Sequence, residues 1–158
     1  MRWILLLLIL AGCGGTDTTL CNRYYKPYPD LVGERPRTQR NAGFLDAMAA
    51  YNSGNYPAAI AGFTAVLAAD ESDMVARMYL ASALLGSGEP YKAEMHLDFL
   101  ERRPRNGFKD QTEWYNALCW LCSGQYERAL RQAQAIAALP NHTYKKEAVD
   151  LVTTLTDH

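Results

Sequence analysis

Apolar residues return at three- and four-residue steps through most of this chain, the spacing that keeps side chains on one face of a helix. Between residues 41 and 70, Phe44, Ala47, Met48, Ala50 and Tyr51 predict one helix face. Ala59, Ile60, Phe63, Val66 and Leu67 predict a second. Asn52-Ser53-Gly54-Asn55 interrupts them. Gly54 suits the left-handed position just past a helix end, and Pro57 falls in a first turn, where its missing N–H costs little. The landmarks then recur. Gly54, Ala59 and Phe63 return as Gly88, Ala93 and Leu97, and again as Gly124, Ala129 and Ala133, at separations of 34 and 36 residues. A period in this range marks stacked helical repeats.

Three units follow, at about 41–70, 74–104 and 110–140. Leu80, Leu84, Leu97 and Leu100 supply packing in the second. In the third, Asp110 and Glu113 have the spacing of a capping box at a helix start. The two extra residues fall within 103–109, a turn-like loop where insertion costs little. A last segment, 143–156, puts Tyr144, Ala148, Leu151 and Val152 or Leu155 on one face and lysines and acids elsewhere. A stack needs such a polar-backed helix to close its end. No long alternating β-branched run occurs, so the expected fold is all-α.

The small pairs Ala47/Ala59, Ala81/Ala93 and Ala117/Ala129, the turns Gly54-Asn55-Tyr56 and Gly124-Gln125-Tyr126, and the unit-ending Pro104 and Pro140 resemble the tetratricopeptide repeat. The resemblance covers about 115 residues. Two departures stand out: no Pro follows Asp70, and Pro90 replaces the aromatic residue of the second turn. The resemblance implies a right-handed solenoid of three helix pairs with a C-terminal capping helix. It also implies that the first helix of each pair lines a concave groove for a protein or peptide. By register that groove comprises Phe44, Met48, Tyr51, Met78, Ser82, Leu85, Trp114, Leu118, Leu121 and Cys122. A family variant clamps a C-terminal carboxylate through polar groove residues, but the matching positions here include Phe44, Met48 and Ser82. The expected stripe is strongly apolar, as binding surfaces are. It is equally open to burial by the chain's own tether.

The chain begins with Arg2, an apolar run to Leu10, then small residues, the layout of a secretory signal. That run is about half the roughly 20 residues that span a bilayer. Leu10-Ala11-Gly12-Cys13 resembles the lipobox of bacterial lipoproteins. The resemblance implies a signal peptide over 1–12, lipid on Cys13, and attachment to the cell envelope. Gly14 favours the outer membrane, facing the periplasm, in the simplest sorting scheme. Residues 13–40 then form a tether. Gly14 to Leu20 is small and polar and reads as a flexible spacer. Leu20 to Val32 carries three tyrosines and two prolines. The prolines forbid a helix over this stretch and favour extended or polyproline backbone. Such apolar content fits either a loose linker or an extended segment lying against the repeats. Arg35, Arg37 and Arg40 read as solvated.

Net charge is −1 and hydrophobic residues are 49% of the chain, so composition offers a core and no case for nucleic acid. Cys119-Trp120-Leu121-Cys122 has the C-x-x-C spacing of a redox pair or half a zinc site. It falls near a helix C-terminus, where the dipole disfavours thiolate, and no spacing of Cys21, His96, His142 or His158 completes a metal set. Two packing cysteines, or one bridge from Cys21 to Cys119 or Cys122 stapling the tether into the groove, remain as readings. No nucleophile–base pair, phosphate loop or paired-carboxylate signature occurs. The expectation is therefore a lipid-anchored envelope adaptor without cofactor, metal or small-molecule substrate. Its rivals are a thiol or metal protein using Cys119 and Cys122, and a spacer whose groove holds its own tether.

Overall fold

A computed structural model describes residues 18–103, 105 and 107–157. The described residues form eight helices and no strand. They are α1 (Thr18–Tyr24), α2 (Ala42–Asn52), α3 (Tyr56–Ala69), α4 (Met74–Gly86), α5 (Pro90–Glu101), α6 (Lys109–Cys122), α7 (Tyr126–Ala138) and α8 (Lys145–Thr156). From α2 to α8 each helix packs on the next, and α1 lies against α6. Cys13 and the expected signal peptide lie outside the described residues. Among those described, no helix is long and apolar enough to cross a membrane.

The three recurring glycines make one turn three times. Gly54, Gly88 and Gly124 have φ of 75°, 79° and 77°. In each turn the glycine N–H reaches the carbonyl three residues back, at 3.0, 3.1 and 3.1 Å (Tyr51, Leu85, Leu121). The following N–H reaches five residues back, at 2.9, 2.9 and 2.8 Å (Ala50, Leu84, Trp120). This pair of bonds is the Schellman arrangement, which satisfies the last carbonyls of a helix and needs a left-handed residue. The next helix starts at once. Asn55 caps α3 through Ala58 N–H, and Asp73 caps α4 through Ala76 N–H.

Small residues then set the spacing between helices. Ala47, Ala59, Ala81, Ala93, Ala117 and Ala129 are all buried. A β-carbon added to Gly62 would sit 2.7 Å from that of Ala47, so α2 and α3 cross nearly backbone to backbone. Helix α4 is enclosed from Ala76 to Leu85 without a break, as a helix surrounded by neighbours must be. At the far end α8 buries Ala148 and Leu151 and leaves Val149 exposed.

Three expectations differ from what is observed. Thr18 to Leu20, expected in a flexible spacer, belong to α1, and so do Cys21 to Tyr24, where the prolines are expected to forbid a helix; Pro27 lies far enough beyond Tyr24 to permit it. Asp110 and Glu113 make no capping box. Phe108 holds the cap position of α6 without a side-chain bond, and both carboxylates turn to the α7–α8 loop instead. Arg37 is exposed, as expected, and also pairs with Asp46 through two bonds of 2.7 and 2.9 Å.

Candidate functional site

One face of α2, α4 and α6, where the resemblance places the groove, is crossed by residues 25–32, a strap without regular structure that bends at 31–32. Pro27 and Pro29 fix its backbone angle and remove two N–H groups that would otherwise need acceptors. The polar groups that remain are answered mostly by hydroxyls. Tyr115 Oη donates to Lys26 O at 2.7 Å. Tyr28 N–H donates to Ser82 Oγ at 3.0 Å, and Tyr51 Oη donates to Tyr28 O at 2.9 Å. Tyr79 Oη donates to Pro29 O and accepts from Leu31 N–H, both at 3.0 Å. Tyr25 Oη donates to Ser82 O at 2.8 Å.

Ser82 is the hub of this network and is fully buried. Its oxygen accepts from the Tyr28 amide and lies 2.8 Å from Tyr51 Oη. Because the Tyr51 proton goes to Tyr28 O, the Ser82 proton must go to Tyr51. Every hydrogen in the hub then has an acceptor, the condition under which a buried polar network stabilises. Burial, ahead of any hydrogen bond, pushes the phenols of Tyr25, Tyr51, Tyr79 and Tyr115 above their ordinary value. All four therefore stay protonated as donors at neutral pH.

Ring packing holds the middle of the strap and covalent chemistry its start. The Tyr28 ring is buried, with centroids of Tyr79, Phe108 and Tyr115 at 5.4, 6.2 and 6.3 Å. Tyr25 lies over Gly86, where an added β-carbon would stand 2.5 Å from its hydroxyl oxygen. Tyr24 reaches the capping helix, 2.7 Å from Asp150 Oδ2 and 2.6 Å from Thr154 Oγ1. Asp30 closes the far end by accepting from Val32 N–H, Gly33 N–H and the Asn52 amide. Burial alone would raise the Asp30 carboxyl, but those donors outweigh it and hold it below the usual range. At the start, Cys21 is joined to Cys122 by a disulfide.

The groove residues expected from register divide into three sets. Tyr51 and Ser82 bond the strap, and Cys122 is its covalent partner. Trp114 is buried and stacks on Tyr144 at 5.7 Å and 11°. Met48, Met78, Leu85, Leu118 and Leu121 are buried in the core, and Phe44 is partly buried against Phe63 and Tyr79. Two hydroxyls that bond the strap went unforeseen, those of Tyr79 and Tyr115. Each lies one position beyond an expected groove residue, Met78 and Trp114. The signal that could have found them is tyrosine itself, with 10 in the chain.

The C-x-x-C pair is not a dithiol here. Cys122 is bonded to Cys21, and Cys119 is free and buried. Burial first, and then the carboxylates of Glu94 and Asp98, push the Cys119 thiol well above its ordinary value, so it is a poor nucleophile.

One other cluster has the makings of a metal set. Ligand atoms of Asp110, Glu113 and His142 lie within 4.8 Å of one another. Their bonds assign them differently. His142 Nδ1 accepts the Tyr144 N–H at 3.1 Å, which leaves the proton on Nε2, facing Glu113 Oε2 at 3.1 Å. A metal would need that Nε2 lone pair. Asp110 accepts from the N–H and hydroxyl of Thr143 at 2.8 and 2.7 Å, and these bonds hold its carboxyl below the usual range. The cluster is a joint that fastens the α7–α8 loop to α6. Comparison with protein-family models, with curated proteins and with solved structures finds no match to the chain.

Proposed function

We propose that the chain is a lipid-anchored envelope scaffold of the tetratricopeptide-repeat type, closed by its own tether. One observation supports this above the others: residues 25–32 lie across α2, α4 and α6 and are bonded to them through their own backbone atoms. In this reading the three helix pairs form a right-handed solenoid, α8 caps it, and Cys13 carries the lipid. Cys13 and the start of α1 are five residues apart, a reach of at most about 18 Å. The body would therefore stand close to the bilayer, facing the periplasm if the anchor is in the outer membrane.

The adaptor role survives in modified form, since a partner must now use the outer surfaces or displace the strap. The thiol or metal reading needs Cys119 and Cys122 as a pair, and Cys122 is bonded to Cys21. A pure spacer is the second reading, favoured by the same filled groove. Incorporation of a palmitate analogue, abolished by Cys13→Ser, tests the anchor. Slow amide exchange at Tyr28 and Leu31 in the oxidised protein tests the closed groove, and exchange at the rate of an unstructured peptide would sink it. Crosslinking in the native envelope separates scaffold from spacer. Partners captured by the oxidised protein support the first, and an empty capture supports the second.

A further inference from the structure

The strap reads as a bound ligand that happens to share the chain. From Lys26 to Leu31 the groove touches it through atoms that any extended peptide offers: Lys26 O, Tyr28 N–H, Tyr28 O, Pro29 O and Leu31 N–H. Side-chain recognition is concentrated at Tyr28, whose ring is enclosed by Tyr79, Phe108 and Tyr115. The neighbouring Lys26, Pro27 and Pro29 are exposed. The covalent hold is elsewhere, at Cys21–Cys122. Cys122 is half-buried and lines a surface cleft with Gly88, Tyr91 and Ser123.

The geometry points to a peptide receptor with a redox latch: the groove accepts an extended peptide carrying an aromatic residue flanked by prolines, and the Cys21–Cys122 bridge keeps the chain's own copy in place. This rests on the closed-groove reading above. The co-reactant is a dithiol reductant. Its thiolate attacks one sulfur of the bridge and displaces the other, which takes up a proton. Its second thiol then resolves the mixed disulfide. Cys21 and Cys122 end as thiols, and the dithiol ends as a disulfide, a two-electron exchange. Cys119 cannot substitute for it, being buried and held protonated.

Reduction alone does not empty the groove. Residues 33–41 still join the strap to α2, so it competes at an effective concentration on the order of millimolar. A peptide in trans therefore gains most when the latch is open and the strap's own anchor is weakened.

The test uses the full chain and a fluorescent synthetic peptide of residues 22–33. Reduction with a dithiol should speed amide exchange at Tyr28 and Leu31 by at least about tenfold, with core amides of α4 unchanged. Cys21→Ser should do the same without reductant. Reduced Tyr28→Ala protein should bind the peptide at least about tenfold more tightly than oxidised Tyr28→Ala protein. Reduced Cys21→Ser/Tyr25→Phe protein serves as a second receptor with a gentler change, because it keeps the Tyr25 ring and loses only its hydroxyl, which bonds Ser82 O. Strap exchange unaltered by reduction and by Cys21→Ser would overturn the latch. Faster exchange with no peptide binding in either receptor would overturn the peptide site. Rapid exchange in the oxidised wild type is a different result, and it would remove the closed groove itself.

Discussion

Ser82 is small and polar in a helix otherwise enclosed by apolar neighbours, and its surroundings explain why it is tolerated there. It accepts the Tyr28 amide and donates to Tyr51, so it leaves no bond unmade. Ser82→Ala would leave the buried Tyr28 N–H without an acceptor. A stranded buried donor costs about 1–3 kcal/mol, and a drop in thermal midpoint should report it. Tyr115→Phe removes one bond, to Lys26 O at a partly buried position, and should cost about 0.5–1.5 kcal/mol. Equal losses in the two variants would contradict the hub role of Ser82. The phenols also set a pH limit. Burial raises Tyr25, Tyr51, Tyr79 and Tyr115, and pushes Tyr144 up to about 12. A raised folded value means that stability is intact below the unfolded value, about 10. It falls as pH rises above that, because the unfolded chain ionises first. Cys119, raised in the same way, adds a loss that begins near the unfolded thiol value of about 8.5, so the thermal midpoint should start to fall there and fall more steeply above about pH 10.

At the scale of elements, helix contact distance decides which glycines are replaceable. A β-carbon on Gly62 meets that of Ala47 at 2.7 Å and its α-carbon at 3.2 Å, whereas one on Gly43 meets nothing within 4 Å. Both lie in helices, where alanine is favoured by up to about 1 kcal/mol. Gly43→Ala should therefore stabilise by a few tenths to about 1 kcal/mol, while overpacking turns Gly62→Ala into a net loss of about 1–2 kcal/mol. Urea unfolding of the two variants checks the signs, and a stabilising Gly62→Ala would mean that the crossing is looser than described. The turns and small pairs that build this stack were legible, because Gly54, Gly88 and Gly124 answer a local backbone need that only spacing and residue type express. The strap was half legible. Pro27 and Pro29 announce extended backbone, but no local pattern says which surface an extended segment will cover. The hydroxyls that bind it were missed for a related reason. Repeat register names faces, whereas Tyr79 and Tyr115 reach the strap from one position past the expected Met78 and Trp114. The capping-box spacing misled because Thr143, 33 residues away, offered Asp110 two donors.

For the whole molecule, the strap changes how the stack holds together. Helices α2 to α8 each pack mainly on their neighbours in sequence, and stacks of that kind can lose their ends one unit at a time. The strap runs across that order. It bonds Tyr51 of the first pair, Ser82 of the second and Tyr115 of the third, and just before it Tyr24 of α1 bonds Asp150 and Thr154 of α8. Cys21 and Cys122, 101 positions apart, fix this crossing covalently. Closing a loop of that length restricts the unfolded chain by an amount worth about 4–5 kcal/mol in the chain-entropy model. The oxidised protein should therefore unfold in urea as one transition, with far-UV circular dichroism and the fluorescence of Trp114 and Trp120 in α6 tracing the same curve. After reduction the midpoint should fall, and the two probes should separate as α2 and α3 fray before α6. Cys21→Ser should reproduce this without reductant. Coincident curves in the reduced protein would mean that the disulfide is not what makes the stack cooperative, leaving that to neighbour packing and the strap's hydrogen bonds. Separated curves would make the disulfide the element that binds the repeats into one unit.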